Sequence, residues 1–380
     1  MKTLNVSALA ATLVWGALAA AGCGKKDAAP AEPTKAGEPT AAPDKAAAPD
    51  KATEPSKATE PAPTGPVTLN ASGSTFQKAY QEVAIEAFKK AHPDITINYA
   101  GGGSGKGRQD LSDLVTDFAG SDSPFKEADL AKVKGGQVLY FPLLLGAITV
   151  SYNLDGVDQL ELSAPTIARI FQREILKWND PAVAADNPGV TLPDLAIVVA
   201  RRADGSGTTD NFTKYLDAAA KDIWKLKSGS TVEWPADTQA GQGNGGVAQL
   251  VKSTAGAIGY VDLSDAKASG LKYAAVRNAA GKFVVPTAES TSAAGDGVTV
   301  KDDLTFSALD AGGDAAYPIT CQSWVIAYAK QTDATKGKAL AEYLRFLLTD
   351  GQKLLPEIDF APLPASIQEK ALAQLAKLGV

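Results

Sequence analysis

The sequence predicts an α/β protein with two lobes. The chain has 380 residues, which is longer than a single hydrophobic core usually supports. From Val67 onward, short apolar runs alternate with amphipathic segments, and this β-α-β-α order is typical of mostly parallel sheets covered by helices. The pattern restarts after the apolar run 147–152, as it would in a second lobe.

Residues 1–22 have the features of a signal peptide. Lys2 precedes an apolar run from Leu4 to Ala21 that ends in small residues. A transmembrane anchor is the alternative, because a run of 18 residues is borderline for crossing a bilayer. The Pro-rich stretch that follows favours cleavage.

Cys23 is the candidate lipid attachment site. The stretch from Leu18 to Cys23 resembles a bacterial lipobox, although Ala20 stands where Leu is commonest, so ordinary cleavage after Ala21 stays open. We expect lipidation, because an unpaired exported cysteine otherwise lacks a role. Cys321 would then have no partner, and no disulfide is expected.

Residues 24–66 are rich in Pro, Ala, Lys and Glu and carry no aromatic side chain. The block Lys-Ala-Thr-Glu-Pro occurs at 51–55 and again at 57–61. Such a segment buries too little apolar surface to offset the entropy of ordering. With Cys23, it is expected to form a disordered linker, 23–66, that tethers the folded part to a membrane.

The folded part is predicted element by element. Strands are expected over 67–70, 95–99, 117–120, 138–141, 147–152, 196–200, 257–261 and 324–328. Helices are expected over 77–91, 107–115, 166–175, 209–220, 247–253, 336–348 and 365–378.

Three loops share one design, in which a strand is followed by Gly, Ser and Thr residues and then by a helix start. They span 71–76, 101–107 and 201–209. The N-terminus of a helix attracts anions, because its first backbone N–H groups are unpaired and the helix dipole is positive there. One such loop alone is more often a simple N-cap. Three in one chain, one of them carrying Arg202, predict an anion site.

Two glycine-rich motifs do not fit nucleotide binding. Gly105-Lys106 suggests a P-loop, but Ala100 and Gly107 break that pattern at two positions. Residues 241–246 match G-x-G-x-x-G formally, yet no buried strand is predicted before them. They are expected to be a loop ahead of the helix at 247–253.

Asp122 lies in a turn that follows a predicted strand. A carboxylate in an anion site is consistent with a ligand that carries a proton, since the carboxylate can accept a hydrogen bond from it. Phosphate keeps one or two protons at neutral pH, whereas sulfate has none. Leaving such a buried acceptor unpaired costs several kcal/mol, about 10²–10⁵ in selectivity.

The composition excludes several mechanisms. His92 is the only histidine and lies at the basic end of a predicted helix before Pro93, so neither a zinc site nor a histidine-assisted nucleophile is expected. The net charge of −6 argues against general electrostatic binding of nucleic acid. We expect no metal and no cofactor.

These loops, in this order, resemble the periplasmic phosphate-binding proteins of ABC-type phosphate importers. The strongest stretch is 201–209, with support from 141–153, 177–180, 187–189, 256–260 and 317–319. The resemblance implies a two-lobed, type II-like periplasmic-binding-protein fold of mixed, mostly parallel sheets with a hinge of crossing strands. The crossings would fall near 141–147 and 310–319, which gives lobe one as 67–143 plus 318–380 and lobe two as 144–317.

The resemblance also implies a set of phosphate ligands. Backbone N–H groups would come from the first loop, hydroxyls and N–H groups from the second and third, the charged donor from Arg202 with Asp204 behind it, and the proton acceptor from Asp122. The ligand set is Thr75, Phe76, Ser104, Asp122, Arg202, Ser206, Gly207 and Thr208.

The implied protein is a monomer that delivers phosphate to the membrane subunits of an importer, in the periplasm or at the cell surface, anchored through Cys23. Three alternatives stay open. The same fold could bind sulfate, molybdate or tungstate. A secreted phosphatase could use Ser206, although no base, metal ligands or G-x-S-x-G turn accompany it. A sensor or a surface adhesin that does not transport is the third.

Overall fold

The computed structural model describes residues 65–379; the predicted signal peptide, Cys23 and nearly all of the linker lie outside them. The strands are β1 (Val67–Gly73), β2 (Ile95–Ala100), β3 (Phe118–Ser121), β4 (Val138–Tyr152), β5 (Glu161–Leu162), β6 (Val198–Arg202), β7 (Gln239–Gly241), β8 (Ala257–Asp262), β9 (Lys272–Tyr273), β10 (Ala275–Arg277), β11 (Phe283–Val284) and β12 (Thr320–Tyr328).

Eleven α-helices occur among the described residues. They are α1 (Lys78–Ala91), α2 (Ser104–Ser112), α3 (Glu127–Leu130), α4 (Ala164–Phe171), α5 (Pro181–Asp186), α6 (Gly207–Ala219), α7 (Gly243–Ser253), α8 (Leu263–Ala268), α9 (Ala288–Gly295), α10 (Ala334–Leu348) and α11 (Ala365–Gln374). Among residues 65–379, none of these helices has the length and apolar character needed to cross a membrane.

One mixed sheet of nine strands runs in the order β2-β1-β3-β12-β4-β8-β6-β7, with β9 added beside β4. Pairing is parallel at its two ends, where β1 lies between β2 and β3, and β6 lies between β7 and β8. The strands between these ends pair antiparallel. The carboxyl ends of the parallel strands carry the three candidate anion loops, as expected for crevices in α/β sheets.

Strand β4 connects the two parallel regions. Its residues 138–147 pair with β12, and its residues 148–152 pair with β8. A register shift beside Ser323 and Trp324 interrupts the β12 pairing. Every residue of β4 after Val138 is buried, which explains its nearly continuous apolar sequence.

The helices are held by amphipathic faces. In α1, Tyr80, Ala84 and Phe88 recur every four residues and are all buried. Tyr343 of α10 packs against Phe88 with ring centroids 5.1 Å apart. These contacts fix α1, and therefore the loop that precedes it, against the sheet.

Several boundaries differ from the sequence-based predictions. The runs 138–141 and 147–152 form one strand, because Pro142 and Gly146 are accommodated within β4. Helix α2 begins at Ser104 rather than at 107, and α7 begins at Gly243 rather than at 247. Helix α4 ends at Phe171, before the predicted end at 175. In α2 and α7, low helix propensity concealed a glycine-rich first turn.

Candidate anion-binding site

The starts of α1, α2 and α6 converge on one buried site. The Gly105 N–H donates a 2.8 Å hydrogen bond to the Gly205 carbonyl oxygen, which joins the start of α2 to the loop before α6. The Gly73 carbonyl oxygen accepts from the Gly103 N–H at 2.9 Å, which joins the end of β1 to the loop before α2. Three positive helix ends therefore point toward a shared region.

Glycine 207, the first residue of α6, makes this convergence possible. A Cβ added there would lie 2.7 Å from the Asp122 Oδ2 and would also collide with the Ser104 hydroxyl. Gly103 has a φ of +89° and lies equally close to Asp204, so it too has no room for a side chain. The glycines of these loops therefore allow the segments to approach closely.

Asp122 follows β3 and is almost completely buried. Its Oδ1 accepts hydrogen bonds of 2.6 Å from Ser74 Oγ and from Ser323 Oγ, and its Oδ2 accepts one of 3.2 Å from Ser104 Oγ. Burial raises the pKa of the Asp122 carboxyl, although these three hydroxyls and the Arg202 charge act in the opposite direction. The Asp122 carboxyl is therefore buried, and its side-chain hydrogen-bond partners are three hydroxyl donors.

Arg202, at the end of β6, is paired with Asp204. Arg202 Nε donates to Asp204 Oδ1 at 2.9 Å, and Nη2 donates to Asp204 Oδ2 in a second, very short bond. Burial acts to raise the pKa of Asp204, but the hydrogen bond and charge of Arg202 outweigh it, and the net pKa is lowered. The pair is bidentate, so it fixes the plane of the guanidinium group.

Asn244, in the first turn of α7, holds the same guanidinium from another side. Its Oδ1 accepts from Arg202 Nη1 at 2.8 Å, and its Nδ2 donates to Asp262 Oδ2 at 2.8 Å. Thr208 Oγ1 lies 3.5 Å from the same Nη1. A guanidinium has five N–H groups. Within the part of the chain that the structure describes, these bonds leave one Nη2 N–H available to a ligand.

The structure brings the predicted site residues into one connected cluster. Thr75 Oγ1 accepts from the Asn244 N–H at 3.3 Å, and the Phe76 N–H donates to Ser74 Oγ at 3.0 Å. Ser206 Oγ caps α6 by accepting from the Thr209 N–H at 3.0 Å. Contacts within these loops connect Thr75, Phe76, Ser104, Asp122, Arg202, Asp204, Ser206, Gly207 and Thr208.

Four further residues of the cluster were missed from the sequence. Ser74 and Ser323 bond Asp122, and Asn211 of α6 donates to the Asp122 carbonyl oxygen at 2.7 Å. Asn244 belongs to the glycine-rich stretch 241–246, which was interpreted as a plain loop. The pattern of a short strand, a glycine and a helix start repeats there, and that signal could have identified a fourth helix start at the site.

Among residues 65–379, His92, Lys106 and Cys321 make no hydrogen bond to the predicted ligands. His92 follows the end of α1, stacks on Phe88 and contacts Glu342 at 3.2 Å. Lys106 pairs with Asp110 on the exposed side of α2. Cys321 is buried in β12. No group of three or more potential metal ligands occurs among residues 65–379.

This arrangement suits one kind of ligand. Helix ends and a guanidinium group attract an oxyanion from several directions. A buried carboxyl beside them repels a fully ionised anion and accepts a hydrogen bond from a protonated one. The geometry therefore matches a compact oxyanion that carries at least one proton.

Comparisons with known proteins identify the family of this chain. The family model of the PBP superfamily domain matches residues 47–350. A phosphate-binding protein PstS of Xylella fastidiosa is 37% identical over 286 residues, which cover 74% of this chain and 77% of the relative. A protein of the same name from Methanocaldococcus jannaschii is 38% identical over 312 residues, covering 76% and 80%.

A solved structure supports the fold. The crystal structure of a phosphate-binding protein from Stenotrophomonas maltophilia matches with a TM-score of 0.66 at 18% sequence identity, over 81% of this chain and 93% of that one. The predicted two-lobed α/β fold is confirmed. With a family model over most of its length and relatives of this identity, the chain belongs to the PstS family of the PBP superfamily.

Proposed function

We propose that this protein binds one inorganic phosphate ion in a cleft between two lobes and delivers it to the membrane subunits of an ABC importer. The observation that carries the proposal is the meeting of Arg202 and Asp122 with the starts of α1, α2 and α6 in one buried cluster. The identity with proteins named phosphate-binding protein PstS supports the same ligand.

Each predicted ligand has a role in this proposal. Arg202 supplies the positive charge through its remaining N–H, with Asp204 fixing its orientation. The N–H groups of Thr75 and Phe76 at α1, of Ser104 at α2, and of Gly207 and Thr208 at α6 donate to phosphate oxygens. In the structure the Phe76 N–H donates to Ser74 Oγ, and on binding it would donate to phosphate instead. The Gln77 N–H, which also donates to Ser74 Oγ, would then keep the Ser74 hydroxyl in place.

Asp122 provides the discrimination between anions. As a carboxylate it accepts the proton of a P–OH group, which completes its hydrogen bonding. Sulfate offers no such proton, so its oxygen would face the Asp122 charge without compensation. Molybdate and tungstate are disfavoured for the same reason, because they carry no proton at neutral pH.

The lobes of the proposal are 67–143 plus 318–380 for lobe one and 144–317 for lobe two. The crossing segments are β4, which pairs with β12 and then with β8, and the chain near 310–319. On this division, the Gly105–Gly205 bond and the Asn211–Asp122 bond join opposite lobes. Closing of the lobes around phosphate then creates the surface that an importer recognises.

A binding role without catalysis accounts for Ser206. Its hydroxyl accepts from the Thr209 N–H as the cap of α6, and the single histidine lies at the far end of α1. A serine nucleophile needs a base within hydrogen-bond reach. We therefore propose that the protein is not a phosphatase. Incubation with a phosphomonoester should release no phosphate above background.

The proposal includes export and a tether. We propose that residues 1–22 are a signal peptide, that Cys23 is lipidated, and that the monomeric protein acts in the periplasm or at the cell surface. Cys23→Ala tests the tether: in cell fractionation the variant should move from the membrane to the soluble fraction. A variant that stays with the membrane contradicts lipidation.

Isothermal titration of the purified protein with phosphate, after endogenous ligand has been stripped, tests the central claim. We expect one phosphate per chain, with sulfate failing to compete at pH 8. Sulfate that competes equally with phosphate would exclude the role given to Asp122. Absence of any heat with phosphate would exclude the proposed function.

A further inference from the structure

A chain of four buried polar side chains leads from the interior of the protein to Asp122. Tyr343 Oη donates to Gln81 Oε1 at 2.7 Å, and Gln81 Nε2 donates to Gln77 Oε1 at 2.8 Å. Gln77 Nε2 donates to Ser323 Oγ at 2.8 Å, and Ser323 Oγ donates to Asp122 Oδ1 at 2.6 Å. Gln77, Gln81, Tyr343 and Ser323 are each completely buried.

The direction of every bond in this chain is fixed. Gln77 Nε2 also faces the Trp324 carbonyl oxygen at 2.9 Å, and a carbonyl oxygen only accepts, so this atom of Gln77 must be the amide nitrogen. Ser323 Oγ accepts from that nitrogen and has one hydrogen of its own. That hydrogen points toward Asp122 Oδ1 at 2.6 Å rather than toward the Ser121 carbonyl oxygen at 3.4 Å, because the carboxylate oxygen is nearer and charged. The donors therefore all run from Tyr343 toward the carboxyl of Asp122.

The other two hydroxyls at Asp122 are oriented in the same way. Ser74 Oγ accepts from the Phe76 and Gln77 N–H groups, at 3.0 and 3.4 Å, and Ser104 Oγ accepts from the Asp122 N–H at 3.1 Å. A carboxylate has about four acceptor positions on its two oxygens. Three hydroxyl hydrogens fill most of them, and about one position remains for a proton on the ligand.

We infer that Gln77 and Ser323 are specificity-determining residues, which hold Asp122 ionised so that only a protonated oxyanion is accepted. The inference rests on the proposed function. Neither residue needs to touch the ligand: Ser323 supplies a donor to the carboxylate, and Gln77 prevents the Ser323 hydroxyl from turning away. A protonated Asp122 would instead donate its hydrogen to the ligand, and sulfate could then bind.

Two acidic residues behind Arg202 titrate above their ordinary range: burial raises the pKa of Asp262, which accepts from Asn244, and burial raises the pKa of its neighbour Asp265. Burial lowers the pKa of Arg108, but this side chain stays charged, because arginine keeps its proton in proteins. Burial raises the pKa of Tyr99 and the pKa of the Cys321 thiol well above their ordinary values. Sulfate itself keeps its charge, and Asp262 and Asp265 are the same in wild type and in Ser323→Ala. The difference between the pH profiles of these two proteins therefore reports the protonation of Asp122.

The test measures the sulfate dissociation constant of the purified protein between pH 4 and pH 8. Wild-type protein is expected to bind sulfate only at the acidic end. In Ser323→Ala, the pH at which sulfate binding is lost should rise by about one unit, because one hydrogen bond to a charged group is gone. Gln77→Met should raise that pH by a smaller amount. Ser323→Thr keeps the hydroxyl, so its pH profile should match that of wild type.

Ser163→Ala is the matched control. Ser163 precedes α4 and also donates to a carboxylate, the half-buried Asp186, at 2.9 Å, so this variant should leave the profile unchanged. If Ser323→Ala weakens sulfate and phosphate equally at every pH, Ser323 is only structural and the inference is wrong. If the pH profile of sulfate binding in Ser323→Ala is the same as in wild type, the inference is also wrong. Wild-type protein that binds neither anion contradicts the proposed function itself.

Discussion

The Gly105 N–H donates to the Gly205 carbonyl oxygen, and two residues further on Gly207 lies against Asp122 with no space between them for a methyl group. The start of α6 and the turn after β3 are therefore in direct contact. This contact is the basis of the first prediction, because any side chain at residue 207 would separate the two segments.

Gly207→Ala should weaken phosphate binding by about ten- to hundredfold, since overpacking a close contact costs about 1–3 kcal/mol. Calorimetric titration measures the loss. Gly245→Ala is the control, because a Cβ at Gly245 would meet nothing within 4 Å although it also lies in the first turn of a helix. Equal affinities for the two variants would show that the close approach at Gly207 is dispensable.

Asp122→Asn should reduce the preference for phosphate over sulfate by about tenfold or more, because the amide can donate to an oxyanion where the carboxylate can only accept. Competition calorimetry at pH 8 gives the ratio of the two affinities. Asp113→Asn, on the exposed end of α2, should leave the ratio unchanged. A preserved preference in Asp122→Asn would remove this residue from the account of selectivity.

Arg202→Ala should weaken the binding of every oxyanion by about a hundredfold without changing their order, because the charge attracts them all. It should also lower the free energy of unfolding by about 3–5 kcal/mol, since Asp204 is left as an unpaired charge in a nearly closed environment. Arg201→Ala is the control, because that side chain is directed at Thr238 instead. Normal anion affinity in Arg202→Ala would contradict the site.

Asp262 gives a prediction for stability. Burial and the neighbouring Asp265 raise the pKa of Asp262 well above its ordinary value of 3.8. The folded state therefore binds a proton that the unfolded state has released, and this contribution to stability is lost as the pH rises from about 4 through the raised pKa. The stability of Asp262→Asn relative to wild type should then increase as the pH rises from about 4 to neutral.

Chemical denaturation of Asp262→Asn at several pH values measures this difference. The two oxygens of Asp262 accept from the Asn244 amide and from the Asp265 N–H, and asparagine has one acceptor oxygen, so it keeps only one of these two bonds. The loss of the other bond is the same at every pH. The matched control is Asp333→Asn, because Asp333 is also a helix cap, at the start of α10, and is exposed. A stability difference that is independent of pH would contradict the raised pKa.

Much of the site could be predicted because its parts are local in sequence. A strand end, glycines and a helix start occur within nine residues at 201–209, so local chemistry reveals their function. The polar residues behind them are not local. Ser323 lies about 200 residues from Asp122 along the chain, and only the antiparallel pairing of β12 with β3 brings them together.

The strand β4 shows a similar limit. Pro142 and Gly146 are ordinary signals for a turn, and they divide the apolar run 138–152 into two predicted strands. In the structure Pro142 lies opposite Trp324 at the register shift, where the lost donor is tolerated. β4 forms one strand because it pairs with strands that are far away in the sequence, and such pairing cannot be predicted from a single sequence.

The position of β12 has a consequence for how the chain folds as it emerges from the export machinery. The second part of β4 and the strands β6, β7 and β8 pair with one another within residues 148–262, so these pairings can form before the C-terminal part of the chain is made. β3 and the first part of β4 must wait for β12, which arrives near the C-terminus. Until then the side of β3 that faces β12 is an unprotected edge, and we expect nascent chains to be most prone to aggregation in that interval.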